Sequence, residues 1–409
     1  MTKADQYMQQ SINNIIHNGF KDINPRPHYS DGTPAHTISV NHVIRSYDLN
    51  NNEFPICTLR PQAWKTGIKE IFAIYQNQSN KIAEFERCGC GWWKDWELID
   101  GTIGKSYPYN LESNRVNETN KEKIKVNKIL VDEKFKKDLT PIFGNFKNVN
   151  NFQEYEIKNL KEIWENMFQD KDVFVHQDWY SFEQFLKDVR YLPQYFLARE
   201  DNFNHWKISR KYYRSNAYSK ESCVFLPIDD SFDEEISDER YELSRNQVVE
   251  LIHDIKVNPY GRRHIMSFWN WANINKKALV ECAYETIWNV RGKFLDMVLI
   301  QRSGDMLTAS GPGGINEIQY ASLLMMIAQC VGLKPGKFTH FIANEQIYDR
   351  HIDAANELLN RYENLEENIE IPQILLKLNK TDFFDFTIDD FSIVHYNPIR
   401  PQLKLDLGI

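Results

Sequence analysis

Cysteine, long hydrophobic runs and excess positive charge are all scarce in this sequence. Six cysteines in 409 residues are too few for a disulfide scaffold, so we expect a reducing compartment, the cytoplasm. The most apolar stretch, residues 320–333, is shorter than the roughly 20 residues that cross a bilayer. Residues 1–10 are polar and lack the apolar core of a secretory signal. The sequence therefore predicts neither secretion nor a membrane span.

The charge balance and the cysteine spacing exclude two further kinds of site. A net charge of −8 and a pI near 5.8 argue against a surface built to bind nucleic acid. Arginine clusters still allow an anionic small substrate, because they set the electric field inside a cleft. Cys88 and Cys90 have no second Cys or His pair at suitable spacing, so we predict no metal site.

Composition divides the chain into three stretches, residues 1–112, 113–245 and 246–409. The middle stretch opens with a polar run (112–128) and closes with an acidic one (229–242). Polar, charge-biased flanks of this kind indicate an inserted module. Hydrophobic periodicity predicts strands at 37–43, 54–59 and 294–302, and helices at 64–76, 157–168 and 318–333.

Cys282 is the first candidate for chemistry, in an apolar segment at the start of a predicted strand. A lone cysteine of this kind is most often an inert small hydrophobe. Arg262 and Arg263 follow a turn, and Arg302 closes the next predicted strand. These arginines are ordinary solvated charges unless they converge on Cys282. If they converge, they would bind a phosphate group and lower the pKa of the thiol.

Eight ordered segments of the two outer stretches resemble the thymidylate synthase family, in the form found in Bacillus and its phages. They are residues 31–37, 64–70, 100–104, 258–263, 282–285, 301–305, 319–329 and 385–391. The resemblance implies an α/β (α+β) fold, with a large mixed sheet backed by helices and an inserted α-rich lobe. It also implies a homodimer that forms through the sheet.

The resemblance further implies transfer of a one-carbon unit from 5,10-methylenetetrahydrofolate to C5 of dUMP, without a metal. Cys282 would attack C6 of the pyrimidine, Glu70 would relay protons, and Tyr107 would belong to the network that removes the C5 proton. The implied substrate ligands are Arg26, Arg302, Ser303, Asn316, Gln346 and Tyr348, with Arg262 and Arg263 reaching across the dimer interface. The implied folate ligands are Trp93, Trp96 and Asp305.

Asn316 would select the base. Its amide can donate to O4 and accept from N3–H, which suits uracil, whereas cytosine-using members of the family carry an aspartate there. The resemblance therefore favours dUMP over dCMP.

Three departures from the family pattern fall at the expected site. Glu281 replaces the proline before the cysteine, and its carboxylate would raise the thiol pKa if it pointed inward. The loop 308–316 is longer and richer in glycine, which predicts more backbone freedom. Gln346 replaces a sugar-binding histidine.

These departures would cluster on the substrate and folate faces, and they indicate an altered outcome of the same chemistry. We expect hydroxymethylation of dUMP to 5-hydroxymethyl-dUMP, in a phage with a modified DNA base. Two alternatives stay open, thymidylate synthesis and a catalytically dead homologue that binds a nucleotide or a partner protein.

Within the middle stretch, residues 156–227 resemble a degenerate HNH homing endonuclease. The segment 197–202 has lost one expected aspartate, and the base and metal histidines of the family cannot be placed, although His176 and His205 are present. We expect a remnant that serves as a structural lobe or interaction surface and does not bind DNA. A DNA-binding protein would instead show salt-sensitive DNA affinity.

Overall fold

The computed structural model describes residues 1–113, 152–169, 174–210, 217–220, 222–229, 245–365, 370–406 and 408. Two compact units divide the chain: unit 1 comprises Met1–Leu111 and Leu251–Ile409, and unit 2 comprises Glu112–Glu250. The polar run 112–128 and the acidic run 229–242 lie almost entirely outside the described residues. The interpretation of residues 113–245 as an insertion therefore stays a prediction.

The α-helices of the described residues, numbered in chain order, are α1 Lys3–Asn18, α2 Trp64–Ile71, α3 Ile82–Arg87, α4 Glu154–Met167, α5 Phe182–Val189, α6 Tyr195–Glu200, α7 Gln247–Val257, α8 Ile315–Cys330 and α9 Ile352–Glu363. Two segments, Phe72–Asn77 and Met306–Ser310, adopt π-helical turns. The first of these continues α2 and completes the helix predicted at 64–76.

The strands are β1 Phe20–Lys21, β2 Thr37–Asp48, β3 Glu112–Ser113, β4 Phe174–Val175, β5 Trp206–Arg210, β6 Ala217–Tyr218, β7 Cys223–Pro227, β8 Arg245–Asn246, β9 Ile265–Ser267, β10 Ala283–Arg291, β11 Phe294–Gln301, β12 Gly304–Asp305, β13 Lys334–Tyr348, β14 Gln373–Leu376 and β15 Phe391–Val394. The strands predicted at 37–43 and 294–302 are confirmed as β2 and β11.

Unit 1 is built on a mixed seven-stranded sheet in the order β1-β2-β13-β11-β10-β9, with β12 beside β13. β13 runs parallel to β11 and β12, and the other neighbours are antiparallel. Parallel neighbours need a crossover, which α8 supplies between β11 and β13. The α8 helix is buried on nearly every side because it packs against α2, β11 and β13. The predicted fold class, a mixed sheet backed by helices, is confirmed.

The strand predicted at 54–59 is wrong. This segment is buried but has no strand partner, because its polar groups pair elsewhere. The Thr58 N–H and hydroxyl donate to the Asp5 carboxylate at 2.7 and 2.8 Å, and the Cys57 N–H donates to the Gly313 carbonyl at 3.1 Å. A short apolar run does not by itself distinguish a strand from a buried loop.

Unit 2 packs α4, α5 and α6 around aromatic side chains and carries three two-stranded sheets, β3–β8, β4–β6 and β5–β7. The indole N–H of Trp164 donates to the Trp179 carbonyl at 2.6 Å inside this core. The amphipathic helix predicted at 157–168 is confirmed as α4. His205 lies on the surface, with Nδ1 2.8 Å from the Asp201 carboxylate.

No helix of the described residues combines the length and the apolar character needed to cross a membrane. In the same part of the chain, no three ligating side chains are grouped so as to hold a metal ion.

Candidate active site

Cys282 lies next to Arg302 because of the pairing between β10 and β11. Ala283 is opposite Gln301, so the residues just outside these two positions face each other. The Arg302 N–H donates to the Cys282 carbonyl at 2.9 Å, and Nη2 lies 3.6 Å from Sγ. The guanidinium is fixed by donation to the carbonyls of Glu281 (2.9 Å) and Val280 (2.8 Å). Strand register thus places a cation at the thiol.

Four influences act on the thiol of Cys282. Burial raises its pKa most strongly, Arg302 lowers it, the charge of Glu281 raises it, and Arg26 lowers it, with a net rise. Of the three arginines in the sequence prediction, Arg302 reaches the thiol, and Arg26 adds a second positive charge, but burial outweighs both. The free thiol is therefore protonated at neutral pH, and it must lose its proton as it reacts.

Tyr107 contacts Cys282 through its hydroxyl. The Cys282 N–H donates to the Tyr107 Oη at 3.0 Å. The tyrosine begins a short 3-10 helix, Tyr107–Asn110, and has a positive φ of 34°. Its ring contacts Trp93 and Phe268, each with centroids 5.4 Å apart. Backbone and ring contacts together fix the hydroxyl beside Cys282.

Glu70 is a buried carboxyl on α2 that titrates near neutral pH. Burial raises its pKa to about 7, although Trp93, Trp92 and Gln319 act in the opposite direction. The indole N–H of Trp93 donates to Glu70 Oε1 at 3.1 Å. A carboxyl with this pKa can both give and take a proton at physiological pH.

Asn316, near the start of α8, has a fixed amide orientation. The Ser310 hydroxyl donates to its Oδ1 at 2.8 Å, and its Nδ2 donates to Gln319 Oε1 at 3.1 Å. Each amide atom therefore keeps one hydrogen-bonding capacity for a ligand. Gln301 supports this arrangement, because its Nε2 donates to the Ser310 hydroxyl at 2.6 Å.

A buried charged network includes Glu317, the residue after Asn316, and no sequence pattern had predicted it. Arg45 on β2 is fully buried and pairs with Glu317, Nε to Oε1 2.7 Å, and with Glu345. Burial opposes ionisation of Glu317, but Arg45, His340 and Tyr47 together hold its pKa at about 2. The sequence signal that could have revealed this network is Arg45 itself, which occupies an inward-facing position of the strand β2. An arginine rarely occupies such a position without a buried partner.

The predicted sugar and phosphate ligands lie at the ends of strands. Tyr348 closes β13 and packs against Tyr29, with centroids 6.2 Å apart, while Gln346 lies two residues earlier on the same face of the strand. Arg26 is exposed, yet its charge lowers the pKa of both Cys282 and Tyr348. Ser303 follows Arg302 directly, and its carbonyl accepts from Gln301 Nε2 at 2.9 Å.

Arg262 and Arg263 are exposed in the loop between α7 and β9. Within one chain, the described contacts do not join either arginine to Cys282. The predicted role of this pair across a dimer interface stays a prediction.

The predicted folate ligands are aromatic and acidic. Trp93 is buried and contacts the half-buried Trp96, with centroids 5.8 Å apart. Asp305 accepts from the N–H groups of Leu307 and Thr308, and from the Thr308 hydroxyl at 2.6 Å. Burial raises the pKa of Asp305, while Thr308 and His351 oppose this rise. Its Oδ2 retains a lone pair that can accept from a ring N–H.

Two of the departures from the family pattern are built into the site. Glu281 points inward and is fully buried. The sequence analysis had left the direction of this side chain open. The glycine-rich loop is close-packed, which corrects the expected backbone freedom. A Cβ at Gly311 would overlap the Met306 carbonyl, and a Cβ at Gly313, where φ is +64°, would overlap the Cys57 backbone nitrogen. Glycine is present here because the backbone segments approach each other closely.

The fold and this arrangement are those of a transferase. It has a thiol beside cations, a carboxyl that titrates near neutral pH, and an oriented amide on one mixed sheet. A sequence model of the thymidylate synthase family matches residues 5–172 and 126–409. The chain belongs to the thymidylate synthase family.

Similar proteins support this assignment along the full length of the chain. Thymidylate synthases of Lactococcus lactis subsp. cremoris and Streptococcus suis are 28% and 30% identical over 417 aligned positions, which cover 100% of both chains in each case. The solved structure of thermostable thymidylate synthase A from Bacillus subtilis is 25% identical, with a TM-score of 0.61 and 99% of each chain covered.

Membership of the family makes the chain a folate-dependent one-carbon transferase whose donor is methylenetetrahydrofolate. The residues present fit this donor. The Trp93–Trp96 pair offers aromatic surface, Asp305 keeps an acceptor, and the buried Arg60 has an Nε without a hydrogen-bond partner in the described part of the chain. Thymidylate synthases bind dUMP and work as dimers.

Proposed function

We propose that this protein transfers a one-carbon unit to C5 of dUMP through an adduct between Cys282 and C6, and that its product is 5-hydroxymethyl-dUMP. The observation that carries the proposal is the pairing of the Cys282 thiol with the Arg302 guanidinium, Nη2 to Sγ 3.6 Å. A cation at this position stabilises the thiolate as it forms.

Cys282 adds to C6 of the pyrimidine, which makes C5 a carbon nucleophile. Glu70 holds the proton that must move during this step, because burial keeps its pKa at about 7. Tyr107 would take part in removal of the C5 proton, and the hydrogen bond from the Cys282 N–H to its hydroxyl supports this role. Methylenetetrahydrofolate supplies the one-carbon unit when it is bound by Trp93, Trp96 and Asp305.

The nucleotide is bound by its phosphate, base and sugar. The described hydrogen bonds of Arg302 use Nε and Nη2, so the two Nη1 N–H groups can meet a phosphate oxygen. Ser303 and Arg26 would complete the phosphate site, together with Arg262 and Arg263 of a second copy in a homodimer. Gln346 and Tyr348 would contact the sugar.

Asn316 reads the base as uracil. Its Oδ1 already accepts one hydrogen bond and its Nδ2 already donates one. The remaining lone pair can accept from N3–H, and the remaining N–H can donate to O4. Cytosine presents the opposite pattern at both atoms, so dUMP is the proposed substrate.

Hydroxymethylation is supported by the two departures that are built into the site. Glu281 is buried one residue from the nucleophile, and the loop 308–316 is close-packed against Cys57. Substitutions at buried, close-packed positions have larger effects than those at exposed positions, and we take these two as the basis for an altered outcome. In the proposed outcome water adds to the exocyclic methylene of the pyrimidine, giving the CH2OH group with release of tetrahydrofolate.

Thymidylate synthesis is the second candidate, because full-length relatives are named for that reaction. The two outcomes differ by one oxygen atom. We propose that the enzyme works in the cytoplasm, of a bacterial host if the chain is phage-encoded. We also propose that residues 113–245 are an insertion whose segment 156–227 is a degenerate HNH-type remnant without DNA-binding activity.

Mass spectrometry of dUMP incubated with the protein and methylenetetrahydrofolate separates these outcomes. A product heavier by CH2O, with tetrahydrofolate, supports hydroxymethylation. A product heavier by CH2, with dihydrofolate, would make the protein a thymidylate synthase. Cys282→Ser is the matched control and should give no product.

A further inference from the structure

A buried ion pair lies directly before the nucleophile. Lys277 Nζ is 2.5 Å from Glu281 Oε2, and both side chains are fully excluded from solvent. Burying two charges costs several kcal/mol per ion, and such pairs rarely add net stability. The position of this pair, one residue from Cys282, therefore points to a role in the site.

The second oxygen of Glu281 holds the turn that contains Tyr107. Glu281 Oε1 accepts from the Tyr107 N–H at 2.8 Å and from Asn110 Nδ2 at 3.2 Å, so it binds both ends of the 3-10 helix. Tyr107 has a positive φ of 34°, which persists only where surrounding contacts hold it. Its hydroxyl then accepts from the Cys282 N–H at 3.0 Å.

These contacts form a closed ring. The Glu281 side chain holds the Tyr107 backbone, the Tyr107 side chain holds the Cys282 backbone, and Cys282 is bonded to Glu281 in sequence. Movement of the carboxylate would therefore shift the tyrosine hydroxyl and the nucleophile together.

The pair also sets the charge beside the thiol. The carboxylate of Glu281 raises the pKa of Cys282, against the lowering effect of Arg302 and Arg26. Lys277 holds the opposite charge against that carboxylate, Nζ to Oε2 2.5 Å. The other titratable groups that interact with Cys282 or Glu281 are Tyr107, Tyr320 and Tyr348.

We propose that Lys277 and Glu281 form a positioning pair for the nucleophile: the carboxylate fixes Tyr107 against Cys282, and the ammonium group neutralises the charge that this introduces. Neither side chain need touch the substrate. The inference rests on the proposed role of Cys282 as the nucleophile.

The charge effect is tested by the pH dependence of alkylation of Cys282 by iodoacetamide, followed on the peptide that contains Cys282. Lys277→Met leaves the carboxylate without its cation and should move the midpoint up by about one pH unit. Glu281→Gln leaves the cation and should move it down by a similar amount. Shifts of the midpoint in opposite directions are diagnostic, because a general loosening of the site would shift the midpoint in the same direction in both variants.

Midpoints that stay in place, or that move in the same direction in both variants, would overturn the proposal. Lys187→Met is the matched control, because Lys187 forms an exposed pair at the same spacing with Glu183, Nζ to Oε1 3.0 Å. It should leave the midpoint unchanged. The assay needs no turnover, so its failure is distinguishable from failure of the proposed one-carbon transfer.

Two neutral double variants test the positioning effect if the single variants do not fold. Lys277→Met with Glu281→Gln keeps an acceptor for the Tyr107 N–H, whereas Lys277→Met with Glu281→Leu does not. The leucine variant should lose roughly ten-fold or more in kcat relative to the glutamine variant, with little change in KM for dUMP. Equal kcat values would overturn the positioning role.

Discussion

Replacing Glu70 with glutamine removes one ionisable group from the interior of unit 1 and changes little else. Glutamine has nearly the same volume, and its Oε1 can still accept from the Trp93 indole N–H, which donates to Glu70 at 3.1 Å. Differences between the wild type and Glu70→Gln should therefore report the ionisation of Glu70.

The expected size of the effect comes from the pKa of Glu70. Burial raises it from 4.5 to about 7, so the folded state holds the proton more tightly than the unfolded state. The stability that this proton contributes is complete below the unfolded pKa and is lost as the pH rises through the folded pKa. A shift of 7 − 4.5 = 2.5 pKa units corresponds to about 3 kcal/mol.

Urea titrations of both proteins, at fixed protein concentration and at pH values from about 5 to about 8.5, give the free energies of unfolding. The stability of Glu70→Gln minus that of the wild type should rise by about 1.4 kcal/mol per pH unit below neutrality and level off above pH 7. Glu86→Gln, at an exposed position of α3, is the matched control. A difference that does not change with pH would refute a buried carboxyl with a raised pKa at residue 70.

Three further substitutions test other parts of the site. Asn316→Asp should lower kcat/KM for dUMP roughly 5- to 150-fold, which corresponds to about 1–3 kcal/mol, and should raise kcat/KM for dCMP. A parallel loss of kcat/KM on both nucleotides would contradict the base-reading role. Gly313→Ala should lower the free energy of unfolding by about 2 kcal/mol or more, because a Cβ at φ +64° overlaps the Cys57 nitrogen; an unchanged Tm would show that the loop is not close-packed. Arg302→Met should raise the midpoint of Cys282 alkylation by about one pH unit. An unchanged midpoint would show that Arg302 does not lower the pKa of the thiol.

The resemblance to a known family gave the fold class, and hydrophobic periodicity predicted three of the helices and two of the strands, but not α1, α9 or the long strand β13. The period of the apolar residues marks α2 and α4, and the all-round apolar character of α8 indicates burial. The same signal failed at residues 54–59, because an apolar run does not say whether its backbone pairs with a strand. There the Asp5 carboxylate and the Gly313 carbonyl satisfy the backbone, and these partners lie far away in sequence.

Site residues that belong to a family motif could be predicted from the sequence. Site residues that are defined only by tertiary packing could not. The approach of Arg302 to Cys282 depends on the register of β10 against β11, which spacing does not give. The buried carboxylate of Glu281 pairs with Lys277, and no motif indicates this pairing. Arg45 likewise could not be assigned to the site, because its partners Glu317 and Glu345 lie on elements far away in the sequence.

The most direct test of the account is a covalent adduct at Cys282. The protein is incubated with 5-fluoro-dUMP and methylenetetrahydrofolate, and the intact mass and the peptide that contains Cys282 are measured. We predict a stable ternary adduct on Cys282, absent in Cys282→Ser, because fluorine at C5 cannot be removed as a proton would be. Absence of any adduct from the folded wild-type protein, or an adduct on another residue, would contradict Cys282 as the nucleophile.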